Sequence, residues 1–322
     1  WMVDRSDLGV NRTLKQLGVP KATFYKWYKA YTDKGIQGLE NKNPGNRRQW
    51  NSIPQEEKNL VVSVALEFSE LSPRELSCKL SDERKVFISE SSVYRILKAK
   101  GLITSPAHIL LAAGNEFDKK TLFVHEMWQT DFTYFKILGW GWYYLSTILD
   151  DYSRYIVHWE LCDTMKAEDV QSTVHSAVKK AGLKKGQRPI LLSDNGSCYV
   201  SGELKDYLSA MKIRSIHGRV AHPQTQGKIE RYHRSMKNVV KLDNYFHPEQ
   251  LKEAIGEFVE YYNNERYHES LNNVTPADVY YGRKEEVLKE RERIKRASLK
   301  KRRQLFLQQK FLNLNTETLS NN

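Results

Sequence analysis

Residues 128–135 read WQTDFTYF and set one carboxylate, Asp131, inside a run of aromatic and β-branched residues. Runs of this kind favour a pleated, half-buried strand, where alternation gives little reason for a charge. Two similar runs follow at 142–149 and 155–161, separated by Gly139 and Gly141 and then by residues 150–154. Short strands joined by tight turns predict an antiparallel meander over 128–138, 142–149 and 155–161. Beyond it the pattern predicts a helix over 167–181, a short buried strand at 189–193 (PILLS) and a helix near 200–211. A strand near 212–217, a long helix from about 223 to 242 and another over 249–265 complete the series. Strands alternating with helices imply an α/β unit built on a mixed sheet.

Two more acids stand out on that frame. Asp194 follows the PILLS strand directly, in SDNGS, and strand ends leading into Gly-containing loops often carry function in α/β sheets. Glu230 is the only acid in residues 212–242, on a helix that also carries Lys228, Arg231, Arg234, Lys237 and Lys241. Each acid has a plain structural reading as well. Asp131 can cap a backbone turn, Asp194 can be an ordinary turn residue, and Glu230 can pair with Arg234 at i,i+4. Asp150 and Asp151 are equally acidic, and residue type alone does not separate them from the other three.

Working outward to the front of the chain, residues 11–31 (NRTLKQLGVPKATFYKWYKAY) place an apolar face on Leu14 and Leu17, a break at Gly18-Val19-Pro20, and a second helix from Lys21. Helix, Gly-containing turn, helix is the layout of a helix-turn-helix, whose second helix enters the major groove. Residues 72–102 repeat the theme, and residues 22–29 match 91–98 position by position in residue type. Lys21, Thr23, Lys26, Ser91, Ser92 and Arg95 lie where groove and phosphate contacts are made. Phe24, Trp27, Val93, Ile96 and Leu97 read as core. The basic linker between the modules holds Arg47 and Arg48, and such linkers can lie in a minor groove.

The chain has 322 residues, with 40% hydrophobic and 28% charged, which excludes wholesale disorder and suggests two or three domains. Its 51 basic and 39 acidic residues give a net charge of +12. Residues 1–127 hold 20 basic and 15 acidic, residues 128–282 hold 19 of each, and residues 283–303 hold 11 basic and 4 acidic. The excess sits in the flanks, the electrostatic footprint of a phosphate-backbone binder or a solvated basic surface. No apolar run approaches the roughly 18 residues of a membrane span, and no charged-then-apolar leader opens the chain. Cys78, Cys162 and Cys198 are too scattered for a disulfide framework or a zinc pair, so a reducing cytoplasmic location is expected. Trp1 rather than methionine at the start leaves an upstream segment open.

Taken together, WQTDFTYF, LLSDNGSCYVSGEL (191–204) and HPQTQGKIERYHRSMKN (222–238) closely resemble the three acidic motifs of the retroviral-integrase-like catalytic core, in the version found in bacterial insertion-sequence transposases. The 35 residues between Asp194 and Glu230 match the spacing typical of that superfamily. The segment YYNNERYHESLNNVTPADVYYG (261–282) resembles the end of the core, and the front modules resemble the DNA-end-binding half of the same transposases.

The resemblance implies two helix-turn-helix modules (1–35 and 54–105) with a basic linker (36–53), then a second linker (106–127). An RNase H-like core with a mixed five-stranded sheet follows (128–282), and a basic helical arm with a disordered tail closes the chain (283–322). It implies that Asp131, Asp194 and Glu230 form an Asp-Asp-Glu metal triad holding two Mg²⁺ ions, for which Mn²⁺ can substitute, with Asp131 bridging both. Asp150 and Asp151 match a variable acidic turn and are not carried over as ligands. Lys228, Arg231, Arg234 and Lys237 are expected to hold phosphates, and Gly196 and Gly227 to admit a DNA backbone. His222, Ser197 and Gln226 are weaker candidates. No His-His-Cys-Cys set precedes the core, so no zinc is expected. The implied activity is cleavage and strand transfer at the ends of a mobile element, by a homo-oligomer assembled on double-stranded DNA. A catalytically silent DNA-binding protein and a nuclease that cuts without joining are the alternatives.

Overall fold

A computed structural model describes residues 2–3, 5–40, 49–103, 121–183, 186–218, 227–240 and 245–320. Arg47, Arg48, His222 and Gln226 lie outside them. The chain divides into two compact units, Trp1–Ser52 and Ile53–Asn322.

In the first unit, α1 (Val10–Gln16) and α2 (Lys21–Lys34) are joined at Gly18, whose φ of +68° is the left-handed conformation that closes a helix end at little steric cost. Leu14 is buried between them. Trp27 departs from the core reading: it is 53% exposed, beside the exposed rings of Tyr25, Tyr28 and Tyr31. Among the described residues only α1 and a short 3-10 turn (Gly35–Leu39) accompany α2, and none of its side chains is fully buried.

The second unit opens with three helices, α3 (Gln55–Glu67), α4 (Pro73–Asp82) and α5 (Glu90–Ala99). The sequence indicates the last two, and α3 adds Val61 and Val64 to a core of Leu76, Leu80, Ile88, Val93 and Leu97. Ile96 packs partly buried against it. The start of α4 is fixed by a reciprocal cap, in which Ser72 Oγ accepts from the Glu75 N–H and a Glu75 carboxylate oxygen accepts from the Ser72 N–H at 2.9 Å.

A five-stranded mixed sheet follows, with spatial order β3-β2-β1-β4-β5. Its strands are β1 (Met127–Ile137), β2 (Gly141–Asp150), β3 (Ile156–Cys162), β4 (Ile190–Ser193) and β5 (Ser215–His217). The first three form the expected antiparallel meander, while β1–β4 and β4–β5 pair in parallel. Parallel neighbours need a crossover, supplied by α6 (Ala167–Ala181) and α7 (Gly202–Ala210). Those helices pack on one face over Trp128, Ile148, Val157 and Leu191. The other face, with Phe135, Ile137, Leu145 and Leu149, is covered by α8 (Gly227–Val240) and α9 (Pro248–Asn264).

After α10 (Pro276–Tyr280) comes α11 (Lys284–Ser320), which corrects one expectation. Residues 311–320 are helical rather than disordered, and no Gly or Pro interrupts the chain from 283 to 322. Along this helix Ile294, Ser298 and Arg302 are buried. Arg302 donates to Glu57 (3.0 and 2.6 Å) and to the Phe87 carbonyl (2.6 Å), and Ser298 Oγ accepts from the Phe87 N–H at 3.0 Å. Arg291 grips both carboxylate oxygens of Asp82 at 2.7 and 2.6 Å. The last helix thus straps the three-helix module.

Candidate active site

β1 and α8 frame an open cleft of about 530 Å³, lined by Asp131, Phe132, Thr133, Tyr134, Glu230, His233, Arg234, Lys237 and Asn238. The strand supplies one acid and the helix the other. β4 is only four residues long and pairs with β1 only at residues 127–129, so the edge of β1 at Asp131 has no β4 partner. On α8, the faces alternate as an amphipathic helix should: Ile229, Tyr232, Met236 and Val240 are buried, and Glu230 and Arg234 are exposed.

Asp194 begins the loop after β4 and is exposed. It is not among the residues lining the cleft, but its place on the sheet is close to Asp131. The parallel register pairs Trp128 with Leu191 and Gln129 with Leu192, and continuing it two residues sets Asp131 level with Asp194. Electrostatics agree. The buried Tyr199 phenol is held well above its ordinary range by burial first, then by Asp131, with Asp194 adding to it. The Cys198 thiol is likewise pushed up by burial and then by Asp194 and Asp131. One oxygen of Asp194 accepts from the Gly196 N–H at 2.9 Å, and a Cβ on Gly196 would stand 3.0 Å from that same oxygen. Gly196 therefore serves the carboxylate directly.

The alternative ion pair of Glu230 with Arg234 does not form, and among the described residues Glu230 has no partner. Asp131 is partly buried, with His233 Nδ1 3.3 Å from its Oδ2. His233 sits three residues after Glu230, and its Nε2 lies 3.5 Å from Thr147 Oγ1, on the residue that pairs with Asp131 across the sheet. Sequence reading missed it; its i,i+3 spacing from Glu230, on the same helix face, is the signal available. As a donor set, three carboxylates are hard oxygen ligands suited to a divalent cation of the magnesium type. Among the described residues, no three His, Cys, Asp or Glu side chains are gathered tightly enough to cage a metal by themselves. Open carboxylates that leave positions for water and phosphate oxygens fit an ion that keeps much of its hydration.

The basic residues divide. Arg234 is exposed on the cleft, and Lys237 places its ammonium 4.7 Å from the centre of the Tyr134 ring. Arg231 is exposed on the first turn of α8. Lys228, expected to hold phosphate, is instead paired at 2.6 Å with Asp151, and both side chains are nearly buried (12% and 7% exposed). Asp150 and Asp151 are internal anchors: Asp150 accepts from the His125 N–H and from Ser153, and burial pushes its carboxyl up. On α5, Arg95 donates to the Ser91 carbonyl and to Ser92 Oγ, gathering the three polar candidates on one exposed face. Lys21 and Lys26 are exposed on α2, and Thr23 is partly buried there.

Residues 124–223 match the family model described as the integrase core domain, and residues 211–276 match a second integrase core domain model. Residues 23–97 match the homeodomain-like domain. Residues 124–276 thus carry the match to the integrase core domain, with the homeodomain-like match before it. Among similar proteins, the transposase for transposon Tn552 of Staphylococcus aureus is 25% identical over 68% of this chain and 50% of its own length. The transposase for insertion sequence element IS904 of Lactococcus lactis is 26% identical over 53% of this chain and 65% of its own. The chain thus spans about half to two-thirds of the length of these relatives. The HTLV-2 integrase catalytic core, solved in complex with magnesium, aligns with 49% of this chain and 98% of that chain at 21% identity and a TM-score of 0.40.

Proposed function

We propose that this protein is a DNA transposase that binds the ends of its element through its helical modules and carries out metal-dependent strand cleavage and strand transfer. The observation that carries the reading is the cleft lined by both Asp131 and Glu230, in which no cation among the described residues pairs with Glu230, while Arg234 and Lys237 line the same walls. Asp131, Asp194 and Glu230 would hold two Mg²⁺ ions, which would supply Lewis acidity at phosphorus. Arg234 and Lys237 hold the phosphodiester against the acids by charge-assisted contacts. His233 keeps the Asp131 carboxylate oriented, and the Gly196 N–H does the same for Asp194. The exposed cations of α2 and α5 bind duplex DNA, and joining two ends calls for a homo-oligomer.

The test is a labelled duplex carrying the terminal repeats that flank the gene, incubated with Mg²⁺ and protein. End-specific nicking and strand joining are expected from the wild type, with losses of at least about a hundredfold in Asp131→Asn and Glu230→Gln. Specific binding without metal-dependent cleavage by any version leaves a DNA-binding protein only, and shortened products without joined ones leave a nuclease.

A further inference from the structure

The acids of the cleft stand on two separate elements, and a buried polar network ties those elements together two residues away from each acid. Gln129, two residues before Asp131 on β1, is 1% exposed. Its amide donates to Asp151 Oδ1 at 2.7 Å, and its carbonyl oxygen accepts from the Ile229 N–H at 3.1 Å. That N–H belongs to the first turn of α8, where no intrahelical acceptor exists, so a strand side chain caps the helix that carries Glu230. Lys228, two residues before Glu230, donates to Asp151 Oδ2 at 2.6 Å and to the Asp151 carbonyl at 3.2 Å. Thr121 completes the set with a 2.6 Å bond to the same carboxylate.

We propose that Gln129, Asp151 and Lys228 are positioning residues, a clamp that fixes the first turn of α8 against β1 and so sets the separation of Asp131 and Glu230. Two residues along a helix is a rotation of about 200°. The grip through Lys228 therefore falls on the side of α8 away from Glu230, which keeps that carboxylate turned to the cleft. The network spans β1, the turn after β2, and the start of α8. Gln129 and Asp151 are buried and Lys228 nearly so, so the bonds meet little competition from water. This inference rests on the reading of the cleft as the metal-holding centre.

The experiment measures Mn²⁺ binding to the full chain by electron paramagnetic resonance, without DNA, alongside hydrogen exchange of residues 227–231 and the kcat and KM of end cleavage. Gln129→Met and Lys228→Met are expected to speed exchange in that segment and to weaken Mn²⁺ about tenfold, on the scale seen for residues that orient metal ligands. They should lower kcat with KM for DNA unchanged, and Lys228→Arg should recover most of the loss. Because Lys228→Met leaves Asp151 unpaired and can fail to fold, the double variant Asp151→Asn/Lys228→Gln, which removes both charges, is the second probe and carries the same expectation. Faster exchange with Mn²⁺ affinity and kcat within twofold of wild type overturns the clamp and leaves a fold-stabilising network. Mn²⁺ binding that survives Asp131→Asn overturns the cleft reading, and the clamp with it; that failure is distinct because it is read from a variant whose network is intact.

Discussion

His268 is neutral in the folded chain. Burial, followed by the nearby charges of Arg266, Arg154 and Arg74, pushes it from its ordinary 6.5 down to about 3. Its ring packs edge-on against Tyr262 at 4.9 Å, and its Nε2 is buried without a hydrogen-bond partner among the described residues. Between pH 6.5 and 3 the unfolded chain takes up a proton that the folded chain refuses, so stability falls as pH falls through that window. Urea titrations should show a loss of at most about 1.4 kcal/mol per pH unit below 6.5 from this site, and His268→Gln should flatten that part of the profile. At this scale the sequence was informative where a residue type was out of place. Asp131 in an aromatic strand and Glu230 in a basic helix are conspicuous, and the structure puts both on one cleft. Nothing local marks His268 as buried or Lys228 as paired, because their surroundings are assembled from distant segments.

At the scale of elements, the meander and the helices over residues 167–181 and 249–265 were legible to within a residue or two, since periodicity, Gly turns and apolar runs act locally. The role of α11 was not. Its Glu, Lys and Arg mixture reads as a solvated arm, yet three of its side chains insert into the unit, and the partners of Arg302 lie 245 and 215 residues earlier. Arg302 and Glu57 are 4% and 12% exposed. Removing one partner of such a buried pair leaves the other charged and uncompensated, which costs about 3–5 kcal/mol. Arg302→Met should lower the urea midpoint accordingly, and adding Glu57→Gln should restore most of the loss.

For the whole molecule, the distribution of charge needs the structure to be read correctly. Arg291 and Arg302 belong to the arm with the largest cationic excess but are engaged with Asp82 and Glu57, and Lys228 is engaged with Asp151. Cations available to a phosphate backbone are therefore fewer than composition suggests. Arg95 is one of the exposed ones. If it meets a phosphate, Arg95→Ala should weaken duplex binding evenly across sequences and reduce the slope of log affinity against log salt by about 0.9. An unchanged slope removes α5 from the DNA-facing surface.

The strap has a consequence for biosynthesis. The three-helix module around Leu76 and Val93 has its own apolar centre and leaves the ribosome early, but Asp82, Glu57 and the Phe87 peptide wait for Arg291, Ser298 and Arg302. At about 5–20 residues per second, some 200 residues of translation separate the end of the module from its strap, or roughly 10–40 s. Throughout that interval two carboxylates stand without their guanidinium partners, so a nascent chain carries a looser front module than the finished protein. A message cut short before α11 would yield a product in which that module never reaches its final state.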